Sequence, residues 1–281
     1  MTRDPNHKTL FHLVPANDLA EDALRHPDNL RFVSLSGENT PGLEVGFHIP
    51  PFSRGHVITR LGRNTDLVLR QSFSAVHVAF EIHPETLVVR LSVRTKRASS
   101  VTVAPLTKIA GEGQAISGDC AIIYGQDYAV TIASYHFKLI WREIDGRDTT
   151  AESLKELTNA GYQESLLLLK NVRSRDLSIP ETSTPNSWYM TRLQSSKAAV
   201  VAEVKGSRTL VGQGAFGKVF RAVDQTSGNY FAVKVVNLRD QGLKVELARA
   251  ALHKEIKILE RASHVSLMFS SRIPLLSVLC S

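Results

Sequence analysis

A glycine-rich turn between two apolar, β-branched runs constrains this chain more than any other feature. Residues 211–219 read Val-Gly-Gln-Gly-Ala-Phe-Gly-Lys-Val, and a second run ending in Ala232-Val233-Lys234 follows a polar turn at 224–229. Glycines spaced Gly-x-Gly-x-x-Gly let a backbone pass close to phosphate oxygens, because no Cβ blocks the approach. In dinucleotide-binding folds such glycines open a helix, but here 218–222 continues as a strand. The sequence therefore predicts a β-hairpin with glycines in its leading turn.

The glycine turn followed by the lysine strand resembles the amino-terminal lobe of the protein kinase family. The resemblance implies that Lys234 holds the α and β phosphates of ATP and pairs with a helical glutamate. Glu255 is the candidate, because the apolar spacing of 252–259 is helical. An apolar cover over the adenine and a water-excluding phenylalanine at the turn are also implied. The expected ATP-binding residues are Val211, Gly212, Gly214, Phe216, Gly217, Val219, Ala232, Lys234 and Glu255.

The residues that perform phosphoryl transfer in that family have no counterpart after the hairpin. Kinases use a catalytic-loop Asp, a metal-binding Asn and the Asp of Asp-Phe-Gly for Mg²⁺, whereas 256–281 contains neither Asp nor Asn. We therefore predict no catalytic residue and no metal site here, with Mg²⁺ needed only in a complete kinase. Val265 follows His264 where the family usually has proline. We interpret 265–281 as an aberrant tail, such as translated intron sequence or a gene-model error.

The first half of the chain has the pattern of a β-sandwich. Apolar and other residues alternate along 78–82 and again along 135–141, and 87–93 is a β-branched run. Turn residues such as Pro84, Gly118 and Gly125 separate these segments. Many short strands at such spacing are typical of sandwiches.

Two short motifs in this region resemble the forkhead-associated (FHA) domain. They are Leu61-Gly62-Arg63-Asn64 and Ser74-Ala75-Val76-His77, the second followed by the strand 78–82. The resemblance implies that Arg63 and Ser74 contact phosphothreonine, while Gly62 and His77 support the loops. A guanidinium fork and a hydroxyl donor suit a phosphate.

A third loop departs from the family. Thr95-Lys96-Arg97-Ala98-Ser99 stands where Ser/Thr-x-Asn-Gly-Thr is usual, so the asparagine that grips a peptide backbone is absent. Lys96 and Arg97 are expected to add attraction for phosphate. A degenerate domain used for ordinary protein contacts is the alternative.

A helix and a linker are expected between the two halves. Thr149 and Glu152 have the spacing of a capping box, and Leu154, Leu157 and 166–169 offer an apolar surface that could lie on the sandwich. The chain is thus predicted to be mostly β: an FHA-type β-sandwich, then a linker and an incomplete α+β kinase lobe. The predicted divisions are a tail at 1–28, the sandwich at 29–145, a helix and Ser/Thr/Pro linker at 146–200, the partial kinase lobe at 201–264 and the aberrant tail at 265–281.

The composition limits the classes of binding partner that we expect. A net charge of +7 favours an acidic partner, and the scattered basic residues favour a phosphothreonine-containing protein or peptide over direct nucleic-acid binding. Two cysteines form neither a disulfide framework nor a metal-ligand spacing. The first residues lack an apolar signal core, so we expect nuclear or cytoplasmic residence and no membrane partner.

These observations predict a fragment of an FHA-containing serine/threonine protein kinase. ATP is the expected cofactor of the hairpin, and this chain is expected to be inactive by itself. The alternative is a non-catalytic phosphopeptide-binding adaptor that carries a kinase remnant.

Overall fold

The chain divides into two compact units, Met1–Ala198 and Ala199–Ser281. The computed structural model describes residues 3–49, 55–69, 74–106, 115–144, 150–175, 209–214, 217–236, 254 and 278–280. Most elements in these ranges are β-strands, which confirms the prediction of a mostly β chain.

The described part of the first unit contains twelve strands and two α-helices. The helices are α1 (Asp18–Leu24) and α2 (Thr150–Arg175). The strands are β1 (Thr9–Pro15), β2 (Val33–Leu35), β3 (Pro41–Gly46), β4 (Val57–Gly62), β5 (Leu67–Val68), β6 (Val78–Ile82), β7 (Val89–Val93), β8 (Val101–Pro105), β9 (Ile116–Ser117), β10 (Cys120–Ile122), β11 (Tyr128–Ile132) and β12 (Tyr135–Trp141).

These strands form two sheets that enclose one core. One sheet has the order β2-β3-β1-β12-β11-β8-β9 and the other β10-β7-β6-β4-β5. The β4–β5 pair is parallel, and the other pairs of these two sheets are antiparallel. The ring of Phe11 on β1 lies 5.0 Å from that of Phe80 on β6 and 5.2 Å from that of Trp141. Aromatic contact across the two sheets makes the unit a β-sandwich.

The sandwich begins earlier than the sequence predicts. Residues 1–28 were expected to be a tail, yet β1 pairs with β12 on one side and β3 on the other. Leu10, Phe11 and Leu13 are fully buried. Helix α1 follows directly, and its first turn is capped by the Asn17 side chain, which accepts from the Ala20 N–H at 3.1 Å. The prediction of a tail is therefore wrong, because this segment supplies a central strand of the larger sheet.

Helix α2 contacts the sandwich through part of the expected set of residues. Leu154 is buried in the core, and Leu157 and Leu166 pack partly against it, but Leu167 and Leu168 are exposed by 59% and 45%. Among the helix residues whose burial is described, the buried ones recur every three or four positions, which places them on one face of the helix. They are Leu154, Thr158, Gly161, Tyr162 and Ser165. Small residues thus make much of the contact. Thr149 of the predicted capping box and the linker lie outside the described residues.

The second unit contains a four-stranded sheet in the order β13-β14-β15-β16. Its strands are β13 (Thr209–Gly214), β14 (Gly217–Val223), β15 (Tyr230–Val236) and β16 (Val278–Cys280). Strands β14 and β15 form the antiparallel hairpin that the sequence predicts, β13 pairs with β14 antiparallel, and β16 pairs with β15 in parallel. In the turn before β15, Asp224 accepts from the Ser227 N–H at 3.0 Å, and Gly228 has a φ of 78° that suits glycine. The rest of 265–281 lies outside the described residues.

Candidate functional site

Three loops leave the five-stranded sheet at the same end. Leu61 on β4 pairs with Val78 on β6, which in turn pairs with Val93 on β7. His77 joins these strand ends through its backbone: its N–H donates to Leu61 O at 2.8 Å, and its carbonyl accepts from the Arg94 N–H at 2.9 Å. The residues after β4, before β6 and after β7 therefore form one loop surface.

Gly62 and Ser74 bring the first two loops into contact. The Arg63 N–H donates to Ser74 O at 3.1 Å, and the Leu69 N–H donates to Gly62 O at 2.7 Å. A Cβ on Gly62 would stand 2.9 Å from Ser74 O and closer still to Ala75 O. Glycine is required here because the neighbouring loop passes so near, and the contact leaves the side chains of Arg63 and Ser74 exposed.

A buried ion pair that the sequence motif did not reveal fixes the first loop. Asp66 accepts from the Arg60 N–H at 2.9 Å, from its Nε at 3.1 Å and from its Nη2 at 3.0 Å. The bond to Asp66 raises the pKa of Arg60, and burial opposes this rise only in part. Because these contacts hold both ends of 60–66, they set the position from which Arg63 projects.

Asn29 supports the strand that follows this loop. Its side chain is fully buried, donates to Ala23 O at 2.7 Å and to Val68 O at 2.9 Å, and accepts from the Val68 N–H at 2.8 Å. One amide thus ties the end of α1 to β5. The sequence alone gave no signal for this contact, because Asn29 and Val68 are far apart along the chain.

His77 was expected to support the loops rather than bind ligand. Its side chain is buried, and burial lowers its pKa below the usual histidine value. A neutral, buried ring and the two backbone bonds described above are features of a structural residue. Its supporting role in ligand recognition stays a prediction.

The third loop carries the other predicted contacts. Lys96 and Arg97 are exposed, as is Arg63. Within the described residues no carboxylate pairs with any of these three cations. By contrast, Arg94 pairs with Glu81, and Arg60 and Arg90 pair with Asp66 and Asp119. We define the loop surface by Arg63, Ser74, Lys96 and Arg97; it carries positive charge that this part of the chain leaves uncompensated.

The glycines of the Gly-x-Gly-x-x-Gly motif lie where strands β13 and β14 meet. Gly214 pairs with Gly217 where the turn closes, and Lys234 is the cross-strand partner of Val219. A bulge between Leu210 and Gly212 interrupts the first strand. Val211 is exposed by 66%.

Gly212 stands in open space. Among the described residues, no atom lies within 4 Å of a Cβ built on it. Packing within this region therefore gives no reason for glycine at this position. Ala232 pairs with Arg221 through the backbone, whereas Phe216 and Glu255 lie outside the described residues, so the pairing of Lys234 with Glu255 stays a prediction.

Across the described ranges no group of three or more His, Cys, Asp or Glu side chains is placed to hold a metal ion. In that same part of the chain no helix is both long and apolar enough to cross a membrane.

Comparisons with known proteins include a distant likeness to a solved structure. No family model matches the chain, and no curated protein matches it. A solved structure, described as the crystal structure of Rad53 1-466 in complex with AMP-PNP, aligns with 94% of this chain at 14% identity and a TM-score of 0.38. The alignment covers 52% of that protein, so this chain spans about half of its length.

Proposed function

We propose that the sandwich binds phosphothreonine-containing peptides at the loop surface. The observation that carries this proposal is the placement, at one end of one sheet, of one exposed hydroxyl and three exposed cations that pair with no described carboxylate. Backbone bonds through His77 and between Arg63 and Ser74 hold the three loops together. The FHA-like motifs of the sequence support the same assignment.

Each side chain has a defined part in this proposal. Arg63 presents a planar fork that matches two phosphate oxygens, and the Ser74 hydroxyl adds a short donor. Lys96 and Arg97 add charge that draws in an acidic segment. Because no asparagine stands in 95–99, we expect the phosphate to supply more of the binding free energy than the peptide backbone does.

Substitution of Arg63 tests this role. R63A removes the fork from an exposed site, so we expect at least a tenfold loss of affinity for phosphothreonine peptides with no change in thermal stability. R63K should recover only part of the affinity, because an ammonium cannot bind two oxygens in parallel. The measurement is fluorescence anisotropy with a labelled phosphothreonine peptide library and its unphosphorylated counterpart.

Lys138 offers a charge-matched control. It is exposed on β12 of the other sheet, so K138A changes the net charge equally and should bind like the parent chain. Equal binding by R63A and the parent would favour the degenerate domain that serves ordinary protein contacts.

We propose as a second function that the hairpin binds ATP. The observation that favours it is Gly212 on β13, where no described atom lies within 4 Å of an added Cβ, close to the turn at which Gly214 pairs with Gly217. Phosphate oxygens can approach such a backbone closely. On the kinase resemblance Lys234 would hold the α and β phosphates, and Val211, Gly212, Gly214, Phe216, Gly217, Val219, Ala232 and Glu255 would complete the site. Mg²⁺ would be held by residues of a complete kinase.

The G212A variant separates ligand binding from packing. A methyl group there meets no described atom and lies outside the left-handed region, so stability should hold or rise by about 0.5 kcal/mol. We expect affinity for labelled ATP to fall at least fivefold, measured by equilibrium dialysis. G37A is the control, because the nearest atom to its added Cβ is Glu143 Cγ at 3.8 Å.

These two functions together describe a piece of an FHA-containing serine/threonine protein kinase. No residue of this chain is assigned to phosphoryl transfer, so purified 1–281 and its K234M variant should both show background turnover. Peptide binding without any ATP binding would support the adaptor alternative instead. Turnover above background by the parent chain would overturn the assignment.

A further inference from the structure

The third loop contains a serine preceded by two cations at fixed distances. Lys96 and Arg97 stand three and two positions before Ser99, and the loop 94–100 contains no acidic residue. Ser99 is exposed within the 3-10 turn Ala98–Ser100. Many serine/threonine kinases choose substrates by the pattern of charges beside the acceptor hydroxyl.

Among the described residues of this loop, Ser99 carries the hydroxyl group that is most accessible to a modifying enzyme. The Ser100 hydroxyl donates to Arg97 O at 2.7 Å, and the Thr95 hydroxyl accepts from the Arg97 N–H at 3.4 Å. Both of these residues are only half-exposed. Within the described part of the chain the Ser99 side chain makes no hydrogen bond.

The loop is anchored at its ends and weakly held between them. The Arg94 N–H bonds to His77 O at 2.9 Å, and the Ala133 N–H bonds to Ser100 O at 2.7 Å. Between these anchors the described hydrogen bonds are the two hydroxyl bonds and two backbone bonds, from the Ser100 N–H to Arg97 O at 3.0 Å and from the Val101 N–H to Ala98 O. A segment with so few bonds can open into the extended form that a kinase cleft requires, while the sandwich stays folded.

We propose that Ser99 is a phosphorylation site for an arginine-directed serine/threonine kinase, and that the modification switches off the loop surface. In the reaction the Ser99 Oγ forms a bond to the γ-phosphorus of ATP and the bond to the bridging oxygen breaks. ADP leaves, and the hydroxyl proton passes to the modifying kinase. The regulatory part of this inference rests on the proposed peptide binding.

Charge explains the expected effect. A phosphate adds about −2 at neutral pH, close to the combined charge of Lys96 and Arg97. The Cα atom of Ser99 can be at most about 7 Å from that of Arg97 and at most about 11 Å from that of Lys96, so the long side chains of both cations can reach the new group. A phosphate attached to the protein then competes with the phosphate of a peptide and repels its other acidic groups.

The modification is tested on the full chain 1–281. The chain is incubated with cAMP-dependent protein kinase, as an arginine-directed kinase, and labelled ATP, and the sites are mapped by mass spectrometry. We expect phosphate on Ser99, lost in S99A and retained in S100A, which is the matched control on the neighbouring hydroxyl. K96A/R97A should reduce phosphate at Ser99 at least tenfold. Absence of phosphate from Ser99 in the parent chain would overturn the proposal.

The regulatory effect is measured by anisotropy with the phosphothreonine peptides described above. Parent chain phosphorylated at Ser99 should bind at least tenfold more weakly than unmodified chain, while S99A treated with the same kinase should bind as before. If the two forms of the parent bind equally, the Ser99 inference fails and the proposed function stands. If the unmodified chain binds no phosphopeptide, the proposed function fails, and regulation of that surface fails with it.

Discussion

His12 on β1 belongs to a buried polar cluster. Its side chain is 1% exposed, and its Nε2 lies 2.9 Å from Ser34 Oγ. The neighbouring carboxylate of Glu44 is fully buried and accepts from Thr9 Oγ1 at 2.9 Å and Arg3 Nη2 at 2.8 Å. Burial lowers the pKa of His12 to about 4, although the charge of Glu44 opposes this. The ring is therefore neutral at physiological pH.

The hydrogen bonds of this cluster explain why protonation of the neutral His12 ring is unfavourable. The Ser34 hydroxyl also bonds to Glu44, and when it donates there its oxygen accepts the Nε2–H of His12. The incoming proton must then occupy Nδ1, which has no hydrogen-bond partner among the described groups. Arg142 and His48 also lower the pKa of His12 by repulsion.

The free energy of unfolding should therefore fall as the pH falls from 6.5 to 4. The unfolded chain binds the histidine proton near pH 6.5 and the folded chain only near pH 4, so acid favours unfolding, by about 3 kcal/mol at pH 4. Urea denaturation at pH 7, 6, 5 and 4 measures this slope. H12Q should show a shallower slope, and H136Q, on an exposed residue, should match the parent. Parallel curves for H12Q and the parent would contradict the assignment.

Glu44 acts in the same direction at lower pH. Burial raises its pKa, but hydrogen bonds from His48, Ser34 and Thr9 outweigh burial and bring it to about 2. Because the folded value is below the usual 4.5, the stability from this carboxylate is present above pH 4.5 and is lost as the pH falls toward 2.

Among the elements, α2 shows how close packing can favour glycine at a position where helix propensity favours alanine. A Cβ on Gly161 would lie 2.7 Å from Phe47 Cε2 and closer to other atoms of that ring. Two hydroxyls on the same face are satisfied within the helix, since Thr158 donates to Leu154 O at 2.8 Å and Ser165 donates to Gly161 O at 2.9 Å. The helix can therefore pack closely on the sandwich without leaving these buried hydroxyl groups unpaired.

G161A should destabilise the first unit. Alanine improves helix propensity by about 1 kcal/mol, but overlap with a ring that is only 4% exposed costs about 1–3 kcal/mol, and we expect the overlap to dominate. Thermal unfolding followed by circular dichroism measures the change. N159A on the exposed face should hold or raise the midpoint. A higher unfolding midpoint for G161A than for the parent would show that the Phe47 ring can move aside at little energetic cost.

The elements that the sequence predicted are those with a local signal. Alternating residues mark β6 and β12, and turn residues mark the hairpins of the second unit. The central place of β1 was missed because its partners, such as Trp141 opposite Phe11, are distant in sequence. The same reason hid the contacts of Asn29 with Val68. The Arg63 and Ser74 motifs could be found because each is short and contiguous, whereas their alignment depends on His77 joining separate strands.

At the scale of the whole molecule, net charge should govern how fast a partner arrives. The chain carries +7, and long-range attraction of an acidic peptide weakens as salt shortens the screening length to about 10 Å at 0.1 M. Short contacts at Arg63 are screened less, so they should appear in the dissociation rate.

We therefore expect salt to act mainly on association. The association rate constant for a phosphothreonine peptide should fall about tenfold between 50 and 500 mM NaCl, measured by stopped-flow fluorescence. R63A should mainly speed dissociation, and K138A should leave dissociation unchanged. Salt dependence confined to the dissociation rate would contradict this expectation.

The central position of β1 also sets the order of events during synthesis. Thr9–Pro15 leaves the ribosome before the other strands of its sheet, and its neighbour β12 is made about 130 residues later. At typical rates of translation this interval lasts roughly 6 to 26 seconds, during which β1 can pair with β3 on one side but lacks β12 on the other. The nascent chain therefore carries an apolar strand with one open edge until the last strand of the sandwich is made.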